Sequence, residues 1–359
     1  MKEAIERTFR ELAAFNSPSK NEVRVASYLQ EQLTTMGLEV KVDDFGNVIG
    51  YLSGRGESIL LNAHMDGVPP AKGHIPVKEG DVLRSDGSTN LRADDIAGIT
   101  IILEATITII EGKKKHPPLV LAFTAQEEIG LWGAKALDVT EYDVNQGIVF
   151  DNAFGAGTVV SKGACYVAFD VEIKGKETHP GKDLSQGVNA VKVLLDTGIQ
   201  VGEADKGQTR VNIGTVSAGK ARNVVPGNAT IQGEIRSFLT GDKLSGRLSE
   251  VEMAFKNAAS RNGAQVEFTQ KQLAFAYKVD EDEPLVQKYK EVVGARGGEF
   301  EMAETFVASD ANALREKGLK VFVISTGVES EHSVNETVKL SDMEQLTSDL
   351  VALLELLPQ

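Results

Sequence analysis

Cysteine is almost absent from this sequence, which contains one, Cys165, among 359 residues. A single thiol excludes an internal disulfide and fits a reducing compartment. The nearby apolar residues Val167 and Phe169 alternate with other residues, a pattern that is typical of a strand. We therefore predict that Cys165 is a small buried residue and not a nucleophile.

Long uncharged apolar runs are also missing. The longest apolar stretch, residues 96–110, contains Glu104 and is shorter than the roughly 20 residues that a membrane-spanning helix needs. Residues 1–16 form a charged amphipathic pattern without the apolar centre of a signal peptide. These features predict a cytoplasmic protein that does not enter a membrane.

Basic residues are in short supply. The sequence has 38 Lys and Arg against 52 Asp and Glu, which gives a formal net charge of −14 and a pI of about 5.0. Such a chain is repelled by the phosphates of nucleic acids and by anionic membrane surfaces. We expect neither of them to be a partner.

What the sequence does contain is a series of acids and histidines that follow apolar runs. The runs over residues 58–62 and 119–123 lead to His64 and to the pair Glu127-Glu128. In open α/β sheets, ligands bind at the carboxyl ends of strands, so we predict that these side chains share one site. The full series is His64, Asp66, Asp94, Asp95, Glu127, Glu128, Asp151 and His332.

This series has the donor types of a metal site. His64 and His332 are two of only five histidines in the chain. Mixed histidine and carboxylate ligands suit zinc, with cobalt or manganese as substitutes, and a carboxylate that bridges two ions about 3.5–4 Å apart makes a two-metal hydrolytic site. Taken alone, each residue has a plain structural explanation, such as acids that complement a helix dipole at Asp94-Asp95. The whole series favours a metal hydrolase.

The order of strand and helix patterns predicts the fold class. Strand patterns alternate with helix patterns up to about residue 160, which indicates an α/β fold with a mostly parallel sheet and helices on both faces. A block without clustered ligands follows. We predict a catalytic metal-binding domain from residues 1–161 and 269–359, and an inserted α+β domain from residues 162–268.

The ordered motifs resemble those of the zinc-dependent aminoacylase/carboxypeptidase superfamily, and most closely its peptidase T-like (tripeptide aminopeptidase) branch. The resemblance extends over nearly the whole chain and departs at Arg92 and Ile96, where the family usually has Gly and Lys. Its segments are Phe15-Asn-Ser-Pro18, Asn62-Ala-His64-Met-Asp66, Leu91-Arg-Ala-Asp94-Asp-Ile-Ala-Gly98, Phe123-Thr-Ala-Gln-Glu127-Glu-Ile-Gly130, Asp151, Glu177-Thr-His179-Pro-Gly181, Ala221-Arg-Asn223-Val-Val-Pro226 and Glu331-His332.

The resemblance implies a zinc exopeptidase-like catalytic domain with two divalent ions, zinc above all, bridged by Asp94. His64 and Asp151 would complete one metal site, and Glu128 and His332 the other. An Asp at position 151, where the carboxypeptidase and deacylase branches tend to have Glu, favours an aminopeptidase or a dipeptidase.

The resemblance also implies the roles of two further acids near the metals. Glu127 would be the general base that takes a proton from water and passes it to the leaving amine. Asp66 would orient His64. The Asp94-Asp95 peptide bond is often cis in this family.

In the inserted domain, the resemblance implies a lid and a homodimer surface. His179 is similar to a histidine that reaches the active site of the other subunit and stabilises the oxyanion. Asn223 and Arg236 are similar to residues that recognise the free carboxylate of the substrate. Without the resemblance, His179 would be interpreted as a loop residue and Arg236 as a solvated strand residue.

The predicted function is that of a two-metal exopeptidase that hydrolyses the N-terminal peptide bond of short peptides, above all tripeptides. An alternative in the same superfamily is an amidohydrolase or carboxypeptidase that acts on N-acyl amino acids, which would need a blocked amine. A remoter alternative is an inactive metal-binding assembly protein, which would have no chemical need for Glu127.

Overall fold

The computed structural model describes residues 1–70 and 74–357. In these residues the helices are α1 (Lys2–Ala13), α2 (Val23–Thr35), α3 (Ala93–Glu111), α4 (Trp132–Ala136), α5 (Ala190–Leu195), α6 (Gly241–Asn262), α7 (Pro284–Ala295), α8 (Asp310–Glu316) and α9 (Leu340–Leu356). The strands are β1 (Glu39–Val42), β2 (Val48–Leu52), β3 (Ser58–His64), β4 (Val77–Glu79), β5 (Val82–Arg84), β6 (Leu119–Thr124), β7 (Val144–Phe150), β8 (Thr158–Gly163), β9 (Cys165–Lys174), β10 (Gly202–Ala204), β11 (Thr209–Ala218), β12 (Asn228–Ser237), β13 (Gln265–Ala274), β14 (Tyr277–Lys278), β15 (Glu301–Thr305), β16 (Lys320–Ile324), β17 (Val328–Glu329) and β18 (Thr337–Lys339).

The chain forms two compact units. The first unit consists of Met1–Lys162, Lys278–Thr305 and the chain from Ser309 onward, and the second consists of Gly163–Tyr277 and Phe306–Ala308. The second unit extends past residue 268, where the sequence predicted its end, because β13 pairs with β9 along its length.

Four neighbouring parallel strands, in the order β6, β3, β7 and β16, form the centre of the first unit. Antiparallel strands β2 and β1 continue the sheet beyond β6, and β8 continues it beyond β16. Every residue of β3 is buried, as expected for a strand that is covered on both faces. The predicted α/β fold with a mostly parallel sheet is confirmed.

Two groups of helices cover this sheet. Helix α3 is mostly apolar and most of its residues are buried, which suits a central helix. It packs against β3, and α1 and α9 pack against it in turn. Helix α2 contacts β1 and β2, while α8 contacts β3 and β16. In the part of the chain that the structure describes, no helix is both long and apolar enough to cross a bilayer.

The second unit is an antiparallel sheet with two helices. Its strands have the order β10, β11, β12, β9 and β13, and α5 and α6 pack against the sheet. Buried and less buried residues alternate along β9, so that Val167 and Phe169 join a core with Phe255 of α6. Cys165 at the start of β9 is buried, as predicted.

The parallel strands of the first unit bring the ends of four apolar runs to one edge of the sheet. His64 is the last residue of β3, and Asp151 directly follows β7. Strand β6 ends at Thr124, three residues before Glu127, and β16 ends at Ile324. The sheet itself therefore places the predicted ligands near one another.

One close approach between strands gives a test of this packing. A methyl group on Gly147 of β7 would lie 2.4 Å from the backbone oxygen of Leu60 in β3. We expect Gly147→Ala to lower the free energy of unfolding by about 1–3 kcal/mol, because two core strands would have to move apart. Urea unfolding of the purified protein measures the change.

The matched control is Gly294→Ala in the same unit. Gly294 lies in α7, and a methyl group there would meet no atom within 4 Å. Alanine is the better helix former, so this variant should be as stable as the original chain or up to about 1 kcal/mol more stable. Equal stability of the two variants would contradict the close strand contact.

Candidate functional site

The five predicted metal ligands lie together in the first unit. Their ligand atoms form two overlapping groups in which all atoms lie within 4.8 Å of one another. The first group is His64, Asp94 and Asp151, and the second is Asp94, Glu128 and His332. Because Asp94 belongs to both groups, it occupies the position that a bridging ligand requires.

The Asp94 carboxylate lies between two imidazole rings. Its Oδ1 is 3.0 Å from Nε2 of His64, and its Oδ2 is 3.0 Å from Nε2 of His332. The same His332 nitrogen lies 3.1 Å from Oε1 of Glu128. The peptide bond between Asp94 and Asp95 is cis, as the sequence resemblance predicts.

The hydrogen bonds of His64 show that this geometry fits a cation. Nδ1 of His64 is 3.0 Å from the backbone oxygen of Asp66, which can only accept, so Nδ1 carries a proton. In the neutral ring, Nε2 then presents a lone pair to the carboxylate of Asp94. A cation held by both groups satisfies these two facing acceptors. The donors are those that zinc, cobalt and manganese accept.

Without a bound cation, the neighbouring acids stabilise the protonated forms of the two histidines. Hydrogen bonds to Asp94 and Glu128 raise the pKa of His332 to about 10, against the effect of burial. Burial disfavours the charged form of His64, but hydrogen bonds to Asp66 and Asp94 raise its pKa well above the usual value. Burial also acts on Asp94, yet its hydrogen bonds from the two histidines hold its pKa well below the usual value.

Glu127 lies beside these ligand groups and is 7% exposed. It also belongs to a third group of close donors, with His64 and Glu128. Burial raises the pKa of Glu127 well above its usual value, and the charges of Asp151 and Glu128 raise it further, while His64 lowers it. A carboxyl whose pKa is raised in this way holds a proton more readily than an exposed one, which suits a general acid or base.

Asp66 has more partners than the sequence indicated. The shorter contact of His64 is with the backbone oxygen of Asp66, and the carboxylate Oδ1 lies 3.5 Å from the ring. That carboxylate accepts the backbone N–H of Glu127 at 2.9 Å and of Glu128 at 3.3 Å, and the hydroxyl of Ser19 at 2.6 Å. Its carboxylate therefore holds the Glu127-Glu128 turn more closely than it holds the imidazole.

His179, Asn223 and Arg236 all lie in the second unit. His179 is exposed, and its Nδ1 accepts the backbone N–H of Gly181 at 3.1 Å. Asn223 is exposed as well. The guanidinium of Arg236 donates to the Phe306 carbonyl at 3.0 Å and to Glu234 at 3.3 Å. The roles given to these three residues stay predictions.

Three further buried acids support the site, and only the first of them, Asp95, belongs to the series that the sequence singled out. Asp95 accepts the backbone N–H of His64 at 3.1 Å and that of Gly98 at 3.0 Å. Asp310 at the start of α8 accepts hydrogen bonds from Thr124 and Asn62 at the ends of β6 and β3. Asp310 could only be interpreted as an acid in the first turn of a helix. The third acid is Glu336, which follows His332 by four residues.

Comparison with known proteins gives the class of this protein. Residues 60–356 match the model of peptidase family M20/M25/M40. The chain belongs to this family and is a peptidase.

Two solved structures and one sequence relative narrow the class of peptidase. The aminopeptidase PepT of Bacillus cereus ATCC 10987 is 27% identical, with a TM-score of 0.92 over 99% of this chain and 98% of that protein. A tripeptidase of Staphylococcus aureus subsp. aureus Mu50 is 26% identical, with a TM-score of 0.95 over the same shares. The protein YqjE of Bacillus subtilis (strain 168) is 28% identical over 97% of this chain and 96% of its own length. The chain is a metallopeptidase of the peptidase T-like branch.

The shared position of Asp94 predicts how many ions each variant binds. We expect the metal-stripped protein to take up two zinc ions per chain. Asp94→Ala should bind fewer than one, because both groups lose a ligand, whereas Asp151→Ala should keep about one, because the second group is intact. Equilibrium dialysis followed by elemental analysis measures the stoichiometry.

Asp86→Ala is the control, since Asp86 is exposed and its carboxylate accepts from Ser88. It should bind two ions. Retention of two ions by Asp94→Ala would exclude Asp94 as the shared ligand.

Proposed function

We propose that this protein is a two-metal aminopeptidase that removes the N-terminal residue from short peptides, above all tripeptides. The observation that carries the proposal is the buried Glu127 carboxylate beside two ligand groups that share Asp94. Full-length likeness to an aminopeptidase and to a tripeptidase supports this choice of substrate. Zinc is the proposed metal, with cobalt or manganese as substitutes.

The proposed reaction divides the work among residues of the first unit. Divalent ions bound by the two groups would polarise the scissile carbonyl and make water a better nucleophile near neutral pH. Glu127 takes a proton from the attacking water and delivers it to the nitrogen of the leaving amine. Asp66 keeps the Glu127 carboxylate in place by holding the backbone N–H groups of the turn. A positive charge nearby lowers the pKa of Glu127 so that it can act as a base.

The second unit has a proposed role in closing the site. As a lid it would exclude water during the reaction, and His179 would donate to the oxyanion in the site of the partner subunit of a homodimer. Asn223 and Arg236 would bind the carboxylate at the end of the peptide. Arg236 would then have to exchange a contact, since its guanidinium already donates to Glu234. A cytoplasmic location is proposed because the single cysteine suits a reducing compartment.

The role of Glu127 is tested on a panel of tripeptides. We expect the zinc-loaded protein to release the N-terminal residue from peptides with a free amine and to leave their N-acetylated forms intact. Glu127→Gln should lower kcat by about 10²–10⁴-fold, because it keeps the size of the side chain but cannot accept the proton. Mass spectrometry identifies the products.

Glu141→Gln is the matched control, because the exposed Glu141 precedes β7 at the strand end opposite Asp151. It should keep full activity. Cleavage of the acetylated peptides would favour the amidohydrolase or carboxypeptidase alternative. If neither form is cleaved while two ions are bound, the assembly-protein alternative gains support.

A complementation experiment tests the proposed homodimer. His179→Ala alone should lose about 10²–10³-fold in kcat if its imidazole stabilises the oxyanion. When His179→Ala and Glu127→Gln chains are refolded together, half the dimers are mixed, and one of their two sites is complete. Activity should then return to roughly a quarter of the original value, as two-fold symmetry requires.

Refolding Glu127→Gln with Asp94→Ala is the control and should restore nothing, because both changes damage the same set of first-unit residues. Full activity of His179→Ala by itself, or no recovery on mixing, would count against a shared site.

A further inference from the structure

Glu336 is a buried carboxylate that lies at the base of a hairpin loop. Strands β17 and β18 pair, and the loop between them carries His332. Glu336 directly precedes β18 and is 1% exposed. Its position is held from both sides, because its N–H donates to Ser333 at 3.2 Å and its carbonyl accepts from Ser85 at 3.2 Å.

Both oxygens of the Glu336 side chain are used by the turn that carries Asp94. Oε2 accepts the backbone N–H of Arg92 at 2.7 Å, and Oε1 accepts that of Asp94 at 2.9 Å. Two hydrogen bonds accepted by one buried carboxyl group define both the distance and the orientation of this turn. Glu336 thus joins the segment of Asp94 to the loop of His332.

The side chain of Arg92 connects the same turn to two further segments of the chain. Arg92 is 1% exposed, and its guanidinium donates to the carbonyl of Phe15 at 2.8 Å and to that of Met65. Met65 directly follows His64 in the chain. The charges of Asp66, Glu22 and Glu336 act on this guanidinium and offset part of the cost of burying it.

We propose that Glu336 is a positioning residue for the cation held by Asp94, Glu128 and His332. Its hydrogen bonds set the separation between Asp94 and the loop of His332. The proposal rests on the proposed two-metal function. The other ligand group shares Asp94 but takes its remaining ligands, His64 and Asp151, from the ends of β3 and β7, and the side-chain hydrogen bonds of Glu336 do not go to these strands. Loss of Glu336 should therefore weaken the binding of the ion at Asp94, Glu128 and His332 more than the binding of the other ion.

Glu336→Gln tests the proposal with the least change in shape. The amide keeps one acceptor oxygen and replaces the other with an NH₂ group, so one of the two backbone N–H groups loses its partner. Zinc affinity is measured by competition with a chromophoric chelator, in chains that also carry Asp151→Ala or His332→Ala to leave one group intact. In chains that carry Asp151→Ala, we expect the added Glu336→Gln change to lower zinc affinity by about 10–100-fold. In chains that carry His332→Ala, the added change should lower it much less.

Glu329→Gln is the control on the same hairpin, because Glu329 is exposed and pairs with Lys339 at 2.7 Å. It should leave both affinities unchanged. Cobalt-loaded protein gives an independent measure, since the visible spectrum of the ion reports its ligand geometry. The spectrum should change in Glu336→Gln and not in Glu329→Gln.

Unchanged affinities in folded Glu336→Gln would overturn the proposal. An equal loss at both groups, together with a lower unfolding midpoint of the metal-free chain, would also overturn it, because Glu336 would then serve general stability. If Glu336→Gln does not fold, Glu336→Asp keeps both acceptor oxygens and should show the same selective loss to a smaller degree.

None of these measurements depends on peptide cleavage. If the chain binds two ions, loses affinity selectively in Glu336→Gln and cleaves no tripeptide, the proposed function is contradicted while the role of Glu336 is supported. A chain that cleaves tripeptides but binds the second ion equally well without Glu336 would do the opposite.

Discussion

One carboxylate between two imidazoles is the interaction on which the site depends. Asp94 meets His64 on one side and His332 on the other, so two ligand groups from distant parts of the sequence become one cluster. Around it, burial raises the pKa of Glu127 and of Asp151 well above their usual values. Buried acids this close repel one another unless some of them are protonated or positive charge lies among them. Bound cations would relieve this repulsion at the sheet edge.

Many of the acids at this edge bind the backbone instead of pointing to a metal position. Asp66 holds the turn of Glu127, Asp95 holds the end of β3, and Glu336 holds the turn of Asp94. In each case a buried carboxylate accepts N–H groups next to a ligand or next to the proposed base. Such bonds fix the ligand positions before any ion arrives, which lowers the ordering cost of metal binding.

The sequence could indicate which residues meet at this sheet edge because their placement is local. An apolar run forms a strand, a strand has a carboxyl end, and His64 and Asp151 come at or directly after such ends. The partners of Asp66 could not be predicted in the same way, because its hydrogen bond to Glu127 joins two segments far apart in the chain. Glu336 was missed for the same reason, since only the folded chain shows that its oxygens reach Arg92 and Asp94.

The domain boundary shows the same limit. Residue 268 lies inside β13, and the alternation of residues along the chain does not reveal which strand an edge strand joins. The pairing of β13 with β9 sets the boundary of the second unit, and this pairing depends on contacts between residues far apart in sequence.

The first unit is assembled from three separate stretches of the chain, and this affects how it folds during synthesis on the ribosome. The ends of β3, β6 and β7 emerge early, the whole second unit follows, and β16 and His332 emerge only after it. Domains generally fold as units during synthesis, but here the central sheet lacks one of its parallel strands until the second unit has been made. A nascent chain that ends before His332 would carry an incomplete set of the proposed ligands, so peptide hydrolysis would require synthesis beyond that residue.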